Sequence, residues 1–386
     1  MEDETTIKNE DSIAKSFTAE VVNTSNDDYW ILVDNQQIGY DFQFPLISKH
    51  LEDYQSKSFL GRLPSIEYGL KFNNTVFDES VTIKNKVNYR RPITFIDCTF
   101  NKAVFTKGCE GIITFKNCNF KGEVIAENAV LKNKIRFREC HFRSNVNFRN
   151  TTFNELADFW RSTFHKKTIF YKTDFLNTVV FSAVTFKENV LFTYTLIEKL
   201  MILRGTKAQK GFDLSLAIIK GKLGLFEFNL EDYKDVKFIS DEEEYEEAVS
   251  ELAIIPIKNK RETFRILKDN LESQKNLSES LKYKAIEKDI LLEELNHEKA
   301  GISNILNKAN LFFNWLSNNH GNSYGRAFFF ILGFGLFFFY FSLISLDLFS
   351  FTLNYKEWAF NESFRYYMEF LNPIHKFDYL GEDITL

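Results

Sequence analysis

Cysteine and histidine are scarce in this chain, 4 and 6 of 386 residues, and the patterns they would need for chemistry are missing. No Cys-x-x-Cys pair and no histidine cluster accompanies Cys98, Cys109, Cys118 and Cys140, whereas zinc demands three or four ligands converging in tetrahedral geometry. Nothing suggests a disulfide framework, which points to a reducing compartment. A phosphate loop is absent: Gly221-Lys222-Leu223 lacks both the preceding glycine and the hydroxyl residue. So are the Gly-x-Ser-x-Gly elbow and the His-Glu-x-x-His pair. His141 and His165 stand at outward positions beside Phe142 and Phe164, where solvent explains them. The expectation is a protein that is not an enzyme and has no catalytic, cofactor or metal site. Met1 to Ser12 are polar and acidic, without the charged-then-apolar order of a secretory signal.

Phenylalanine, by contrast, occurs 43 times. Rings at 137, 148, 159, 170, 181 and 192 recur every eleven residues, and a second series at 142, 153, 164, 175 and 186, closed by Ile197, runs five behind. A fixed period means that one small unit is being stacked. Eleven residues also fill three helical turns. On a helix, however, Val146, Phe148 and Phe153 would lie at about 0°, 200° and 340°, leaving every Phe148-type ring in water. In extended backbone Val146 and Phe148 share a face, as do Ile135 and Phe137 or Val190 and Phe192. Because eleven is odd, one long strand would swap faces at each repeat. The chain must therefore turn within each repeat and wind short strands into coils with the rings inside.

Each ring of the second series follows a small side chain by two: Cys98, Cys118 and Cys140 before Phe100, Phe120 and Phe142, then Thr151, Ser162 and Thr173 before Phe153, Phe164 and Phe175. Here the sequence resembles the pentapeptide-repeat family, in a Phe-rich variant where units of five and six alternate. The resemblance implies a right-handed, four-sided β-helix with one side per unit and two elevens per coil. It covers about Phe72 to Phe228, and the cysteines, 20 and 22 residues apart, would form a buried column. Such folds host many functions, so the architecture alone does not name one.

The expected organisation is mainly β with a helical C-terminal part. Residues 1–69 form an N-terminal cap, with strands at Thr18–Val22 and Tyr29–Val33 and a short helix at Leu46–Tyr54, because a bare first coil offers open edges. Residues 70–230 form the β-helix, a rod ~30 to 35 Å long at ~4.8 Å per strand. Residues 231–257 read as a mobile acidic connector around Asp241–Glu247. From 258 to 300 the period is helical: Phe264, Leu267 and Leu271 make one stripe, and Leu281, Ala285, Ile286, Ile290 and Leu291 another. A break at 273–276 makes a hairpin, expected to dock on the solenoid's end or on another subunit. Residues 301–319 read as an amphipathic helix lying in a membrane interface.

The segment 320–353 holds a run from Ala327 to Leu346 without a charge, including Phe328, Phe330, Gly333, Gly335 and Phe338. At 1.5 Å per residue it spans ~30 Å, one hydrocarbon thickness. The two glycines would permit close helix approach, and Asp347 would sit at the interface. Flanking charges do not settle orientation. Unpaired cysteines and the missing signal place the N-terminal bulk in the cytoplasm and 354–386 outside. The solenoid, Glu262–Lys268, the glycine-bearing span and Asn372-Pro373 are similar to bacterial membrane-anchored pentapeptide-repeat proteins, which implies an inner-membrane location. Members of that group carry a second span, which this sequence lacks.

Function is expected from surfaces. Some relatives in the pentapeptide-repeat family mimic DNA to inhibit topoisomerases, a role that wants an acidic rod. Between Pro92 and Phe228 basic side chains predominate, with Arg136, Arg138, Arg143, Arg149, Arg161, Lys166, Lys167 and Lys172 in the most regular repeats. That set is the candidate interaction surface, suited to an anionic partner, nucleic acid included; solvated corners that simply need polar side chains are the plainer account. The expected function is a membrane-anchored scaffold whose partners are the lipid bilayer and a cytoplasmic protein or further copies of itself. The alternative is an oligomeric membrane effector or channel, and DNA mimicry is the third.

Overall fold

The computed structural model describes residues 20–23, 29–43, 68–83, 92–230, 236–239, 241–298, 301–345 and 360–372. Residues 1–19 and the expected helix at Leu46–Tyr54 lie outside that set, as do Leu346 and Asp347. The chain separates into two compact units, Met1–Asn270 and Leu271–Leu386.

The first unit is a β-solenoid of about seven turns. One turn shows its construction: Ile135–Arg138, His141–Phe142, Val146–Asn147 and Thr152–Phe153 lie on four successive faces, and Ala157–Asp158 returns to the first. Stacked turns make four sheets of ten, nine, eight and six strands, taken in that order along the chain. Neighbouring turns pair in parallel and in register, Phe115 opposite Phe137 and Phe142 opposite Phe164.

Eleven residues is the distance between corners with left-handed backbone. Asn117, Asn128, Glu139, Asn150, Arg161, Lys172, Ala183, Tyr194, Gly205, Leu216 and Glu227 all have φ between 51° and 65°. At such a corner the Thr151 N–H donates to Phe148 O at 3.1 Å, with Asn150 third in the turn, the place where turns of this kind require positive φ. Asparagine tolerates that conformation better than other L-residues and also ladders between turns. Asn150 Nδ2 donates to Asn128 Oδ1 at 3.1 Å, and Asn117 Nδ2 to Asp97 Oδ1 at 2.6 Å.

The rings fill the interior as expected. Phe115, Phe137, Phe159 and Phe181 stack at 4.8, 5.4 and 5.0 Å, and Phe120, Phe142, Phe164 and Phe186 at 4.9, 4.4 and 4.9 Å. Adjacent columns meet edge to face, as Phe170 and Phe181 do at 5.6 Å and 74°. Parallel stacking along the solenoid and T-shaped contact across it satisfy the ring quadrupoles together.

The small position does more than leave room. Ser162 Oγ donates to Phe137 O and Thr173 Oγ1 to Phe148 O, both at 2.7 Å, and Thr195 Oγ1 to Phe170 O at 2.8 Å. The thiols of Cys98, Cys118 and Cys140 do the same to Phe72, Phe95 and Phe115 at 3.5 to 3.6 Å. Hydrogen bonding to Cys118 and burial raise the Cys98 thiol far above its ordinary range, and burial likewise raises Cys118. The column is thus a ladder of side-chain donors beneath the backbone carbonyls of the ring residues.

At the N-terminal end β1 (Glu20–Asn23) pairs antiparallel with β2 (Tyr29–Asp34), at the edge of the ten-stranded sheet. The strand β2 itself pairs in parallel with Tyr68–Asn73, and Gln37–Ile38 with Val76–Phe77. Parallel stacking therefore begins within the region expected to be only a cap. The open edge is met by one antiparallel strand.

The acidic run expected to be a mobile connector is α1 (Glu242–Glu247), with Asp241 Oδ2 accepting the Glu244 N–H at its start. A π-helical turn, Ala248–Leu252, follows, and then α2 (Ile257–Ser273). Ala248, Val249, Ala253, Ile255, Ile257, Phe264 and Leu267 are all buried. The second unit contains α3 (Leu277–His297), α4 (Ile302–Asn318), α5 (Tyr324–Ser345) and α6 (Phe360–Leu371). The expected break is the turn 274–276, whose Asn276 caps α3 by accepting the Glu279 N–H. On α3 the buried face is Ser280, Ala285, Glu287, Ile290, Glu294 and Leu295, so the expected stripe is rotated and Ile286 is exposed.

Candidate interaction surfaces

The eight basic side chains nominated from the sequence do not form one patch. Arg138 Nη2 lies 2.6 Å from Asp158, Arg161 3.6 Å from Glu139, and Lys172 3.8 Å from Glu246. Arg149 stands between Glu127 and Glu251 at 3.7 and 3.8 Å and donates to Ser250 O at 2.6 Å. Arg136 is half-buried on the first face, its Nε without a hydrogen-bond partner. Arg143, Lys166 and Lys167 are exposed and make no salt bridge among the described residues.

Those three gather at the corner between the second and third faces. Residues following Phe120, Phe142, Phe164 and Phe186 occupy equivalent places in successive turns, their N–H groups donating to the ring residue one turn before. They are Lys121, Arg143, His165 and Lys187, and the two lysines are exposed. Lys121 and Lys187 were not singled out from the sequence, although the interval of 22 aligns them with Arg143. Arg143 Nη1 meets His165 Nε2 at 3.2 Å, and Arg143 Nε donates to Asn119 Oδ1 at 3.3 Å. Partial burial and the charges of Lys187 and Arg143 hold His165 down at about 4. His141 is lowered by the same kinds of cause. A neutral His165 accepts from Arg143, so the corner is a column of cations spaced by a neutral ring.

Arg149 and Lys172 find partners in a segment docked along the third face. The outward positions of that face one turn apart are Ile169, Leu191 and Asp213, all buried. The segment 241–263 lies along this flank rather than on the solenoid's end. Tyr171 donates its hydroxyl to Glu246, Asn189 Nδ2 donates to Ala253 O at 3.0 Å, and Arg149 holds Ser250. Burial and the Glu246 acceptor push the Tyr171 phenol well above its ordinary range. Fully buried Asp213 accepts from Thr193 Oγ1 at 2.7 Å, Ser215 N at 2.8 Å, Asn259 Nδ2 at 3.0 Å and Thr263 Oγ1 at 3.4 Å. Two of these donors come from α2, so the carboxylate fastens the helix to the coils. The sequence carried a signal for this flank: Ile169 and Leu191 are apolar where an outward residue facing water would be polar.

In the second unit, α4 turns its apolar side outward. Ile302, Ile305, Leu306, Phe312, Phe313 and Trp315 are 42 to 80% exposed, while Leu311 and Asn304 are buried, with Asn304 Nδ2 donating to Leu295 O of α3 at 3.0 Å. The next helix is long and apolar enough over Tyr324–Ser342 to cross a membrane, and only 6% of that stretch is buried. Phe328, Phe337 and Phe338 are exposed, and Ala327 and Phe330 are half-buried. Gly333 has open space around it. At Gly335 an added Cβ would come 2.5 Å from the Leu371 side chain and 3.4 Å from the Tyr367 hydroxyl. The helix that approaches there is α6, from the part of the chain expected as an outer tail. Phe339 and Tyr367 are buried together, with Leu332, Tyr340, Phe370 and Leu371 around them, and the Tyr367 hydroxyl donates to Leu332 O.

The pattern described as pentapeptide repeats matches residues 115–163 and 126–174, with nine copies. This stretch of the chain is a pentapeptide-repeat solenoid. The match falls on the turns where the four-face geometry is most regular, and the same register continues beyond it on both sides. No curated protein and no solved structure matches the chain. Pentapeptide repeats account for the turns over residues 115–174 and leave the flank segment and the second unit to be read from their own chemistry.

Proposed function

We propose that the protein is a non-enzymatic, membrane-anchored scaffold: α5 crosses a bilayer, α4 lies in its interface, and the pentapeptide-repeat solenoid presents a basic corner to an acidic protein partner. The observation that carries the anchor is the inverted face of α4. A soluble helix puts its apolar stripe against the protein, whereas α4 exposes Ile305, Phe312 and Phe313 to the surroundings beside a long apolar helix. Water would make both exposures unfavourable, at ~25 cal/mol for each Å² of apolar area. Hydrocarbon removes that cost. Arg326 lies over the Trp315 ring at 5.3 Å, a cation and an aromatic paired at the entry to the span, where interfacial anchors belong. Within the span, Ser342 and Ser345 return their hydroxyls to Phe338 O and Phe341 O, both at 2.9 Å, as a low-dielectric medium requires. A bacterial inner membrane with the solenoid on the cytoplasmic side agrees with four buried, unpaired cysteines.

Alkaline carbonate extraction of membranes from cells expressing the full chain tests the anchor. The chain is expected in the pellet. Phe337→Arg, at a residue 64% exposed near the middle of the helix, should shift it toward the supernatant, because a central arginine costs about 2.5 to 3.5 kcal/mol on insertion. Release of the unaltered chain by carbonate would overturn the reading.

A further inference from the structure

Between α3 and α4 the second unit contains an open groove of about 470 Å³ that ends at the turn carrying His320 and Gly321. Its volume is that of a small-ligand site. From α3 it receives Lys284 and Lys288, one helical turn apart, and from α4 a row that includes Asn310, Asn314 and Asn318. The donors and acceptors are not balanced. Asn318 Oδ1 already accepts the Gly321 N–H at 2.8 Å, so its amide N–H groups remain to donate. Asn310 Oδ1 is likewise taken by Asn314 Nδ2 at 3.0 Å. Lys284 is half-buried and has no carboxylate partner among the described residues. Two carboxylates stand nearby, and each has an assigned partner: Glu287 lies 3.3 Å from Lys288, and Asp289 3.7 Å from His320. Burial lowers the His320 pKa, Asp289 opposes the shift, and Lys288 and Lys284 add to it, so the ring is biased toward its neutral form between the two signs of charge.

We propose that this groove binds a phosphate ester, with the Lys284 and Lys288 ammonium groups and the Asn318 amide donating to its oxygens. Ammonium and amide groups lining one groove from two helices suit a compact oxyanion, since charge-assisted bonds to phosphate are the strong ones. The groove borders the turn that leads into α5, close in sequence to the Trp315–Arg326 pair. A lipid headgroup is therefore one source of the phosphate, and that source rests on the membrane reading above. A soluble phosphate ester is the other, and it does not.

The test uses the full chain in a non-ionic detergent. In one arm phosphatidylglycerol is titrated and bound lipid counted by native mass spectrometry; in the other glycerol 3-phosphate is titrated and binding read by calorimetry. Lys284→Gln with Lys288→Gln should weaken binding in the responding arm about tenfold or more, the scale of lost hydrogen bonds to a charged group. Lys282→Gln, an exposed residue of the same helix paired with Glu279, should leave it unchanged, and circular dichroism should show all three chains equally helical. Binding in the lipid arm alone assigns a headgroup. Saturation by glycerol 3-phosphate assigns a soluble ligand and holds even if carbonate releases the chain. Equal binding by the double variant, or none in either arm, overturns the proposal.

Discussion

His165 shows how the register of the solenoid acts on a single side chain. The 22-residue turn sets it between Arg143 and Lys187, and both cations oppose its protonation along with partial burial. An unfolded histidine titrates near 6.5, so with the folded value at about 4 the unfolded chain binds the extra proton between these limits. Stability then falls as pH drops from about 6.5 and levels off below about 4. Carboxylates add their own slope, so the readout is a difference: His165→Gln, which keeps an acceptor for Arg143, should flatten the dependence of the thermal midpoint on pH across that window. Parallel curves for the two proteins would remove His165 as the source. At this scale the ring columns were legible because Phe137, Phe148 and Phe159 repeat their chemistry. The cation column was not, since Lys121, Arg143, His165 and Lys187 share a position and not a residue type. Grouping basic residues by nearness in sequence joined Arg138, Arg149 and Arg161, which meet carboxylates, with Arg143, which meets Asn119 and His165 instead.

Among elements, the coils follow from local rules and the flank segment does not. Corners every eleven residues, a ring after a small donor and alternation within each strand suffice to place the coils from Asn117 to Glu227. The segment 241–263 opens on the acidic run Asp241–Glu247, and the buried apolar residues that follow, Ala248, Val249, Ala253, Ile255 and Ile257, lack the period that would signal a docked element by themselves. Ile169 and Leu191 are buried outward positions on the face where Asn189 holds Ala253, and only the two segments taken together reveal the docking. Polar docking at Asp213 is equally hidden, because Thr193 lies far in the chain from Asn259 and Thr263 and the three converge only in the fold. A buried carboxylate with four donors is costly to remove, since each donor then loses its partner. Asp213→Ala should cost about 3 kcal/mol in total and act locally. Hydrogen exchange across Glu242–Thr263 is expected to accelerate while the ring turns between Phe137 and Phe186 keep their protection. Unchanged protection of α1 and α2 would mean that the apolar contact alone holds them.

At the scale of the whole molecule, two units of opposite surface character share one chain. The solenoid places most of its phenylalanines in an internal stack, whereas α4 and α5 leave most of their apolar side chains outside. That contrast is why composition was a poor guide: phenylalanine is abundant in both units, mostly buried in the first and mostly exposed in α4 and α5. It also separates the two roles in the proposed scaffold, so that each can be removed without the other. Arg143→Gln with Lys166→Gln and Lys187→Gln should remove three cations from the corner, leaving Lys121 and Lys167, without touching the ring stacks, the Asp213 docking or α5. With the chain held in nanodiscs of neutral lipid and polyglutamate as an acidic probe, the unaltered protein should bind more tightly by about tenfold, on the order of 1.4 kcal/mol for the lost charges together. Because the column is exposed, this binding should weaken as salt shortens the screening length from ~10 Å at 0.1 M to ~3 Å at 1 M. Membrane retention should be indifferent both to the substitutions and to salt. Equal affinity of the two proteins for polyglutamate would return the corner cations to the role of solvated turns, and the scaffold's partner would then have to be sought on another face.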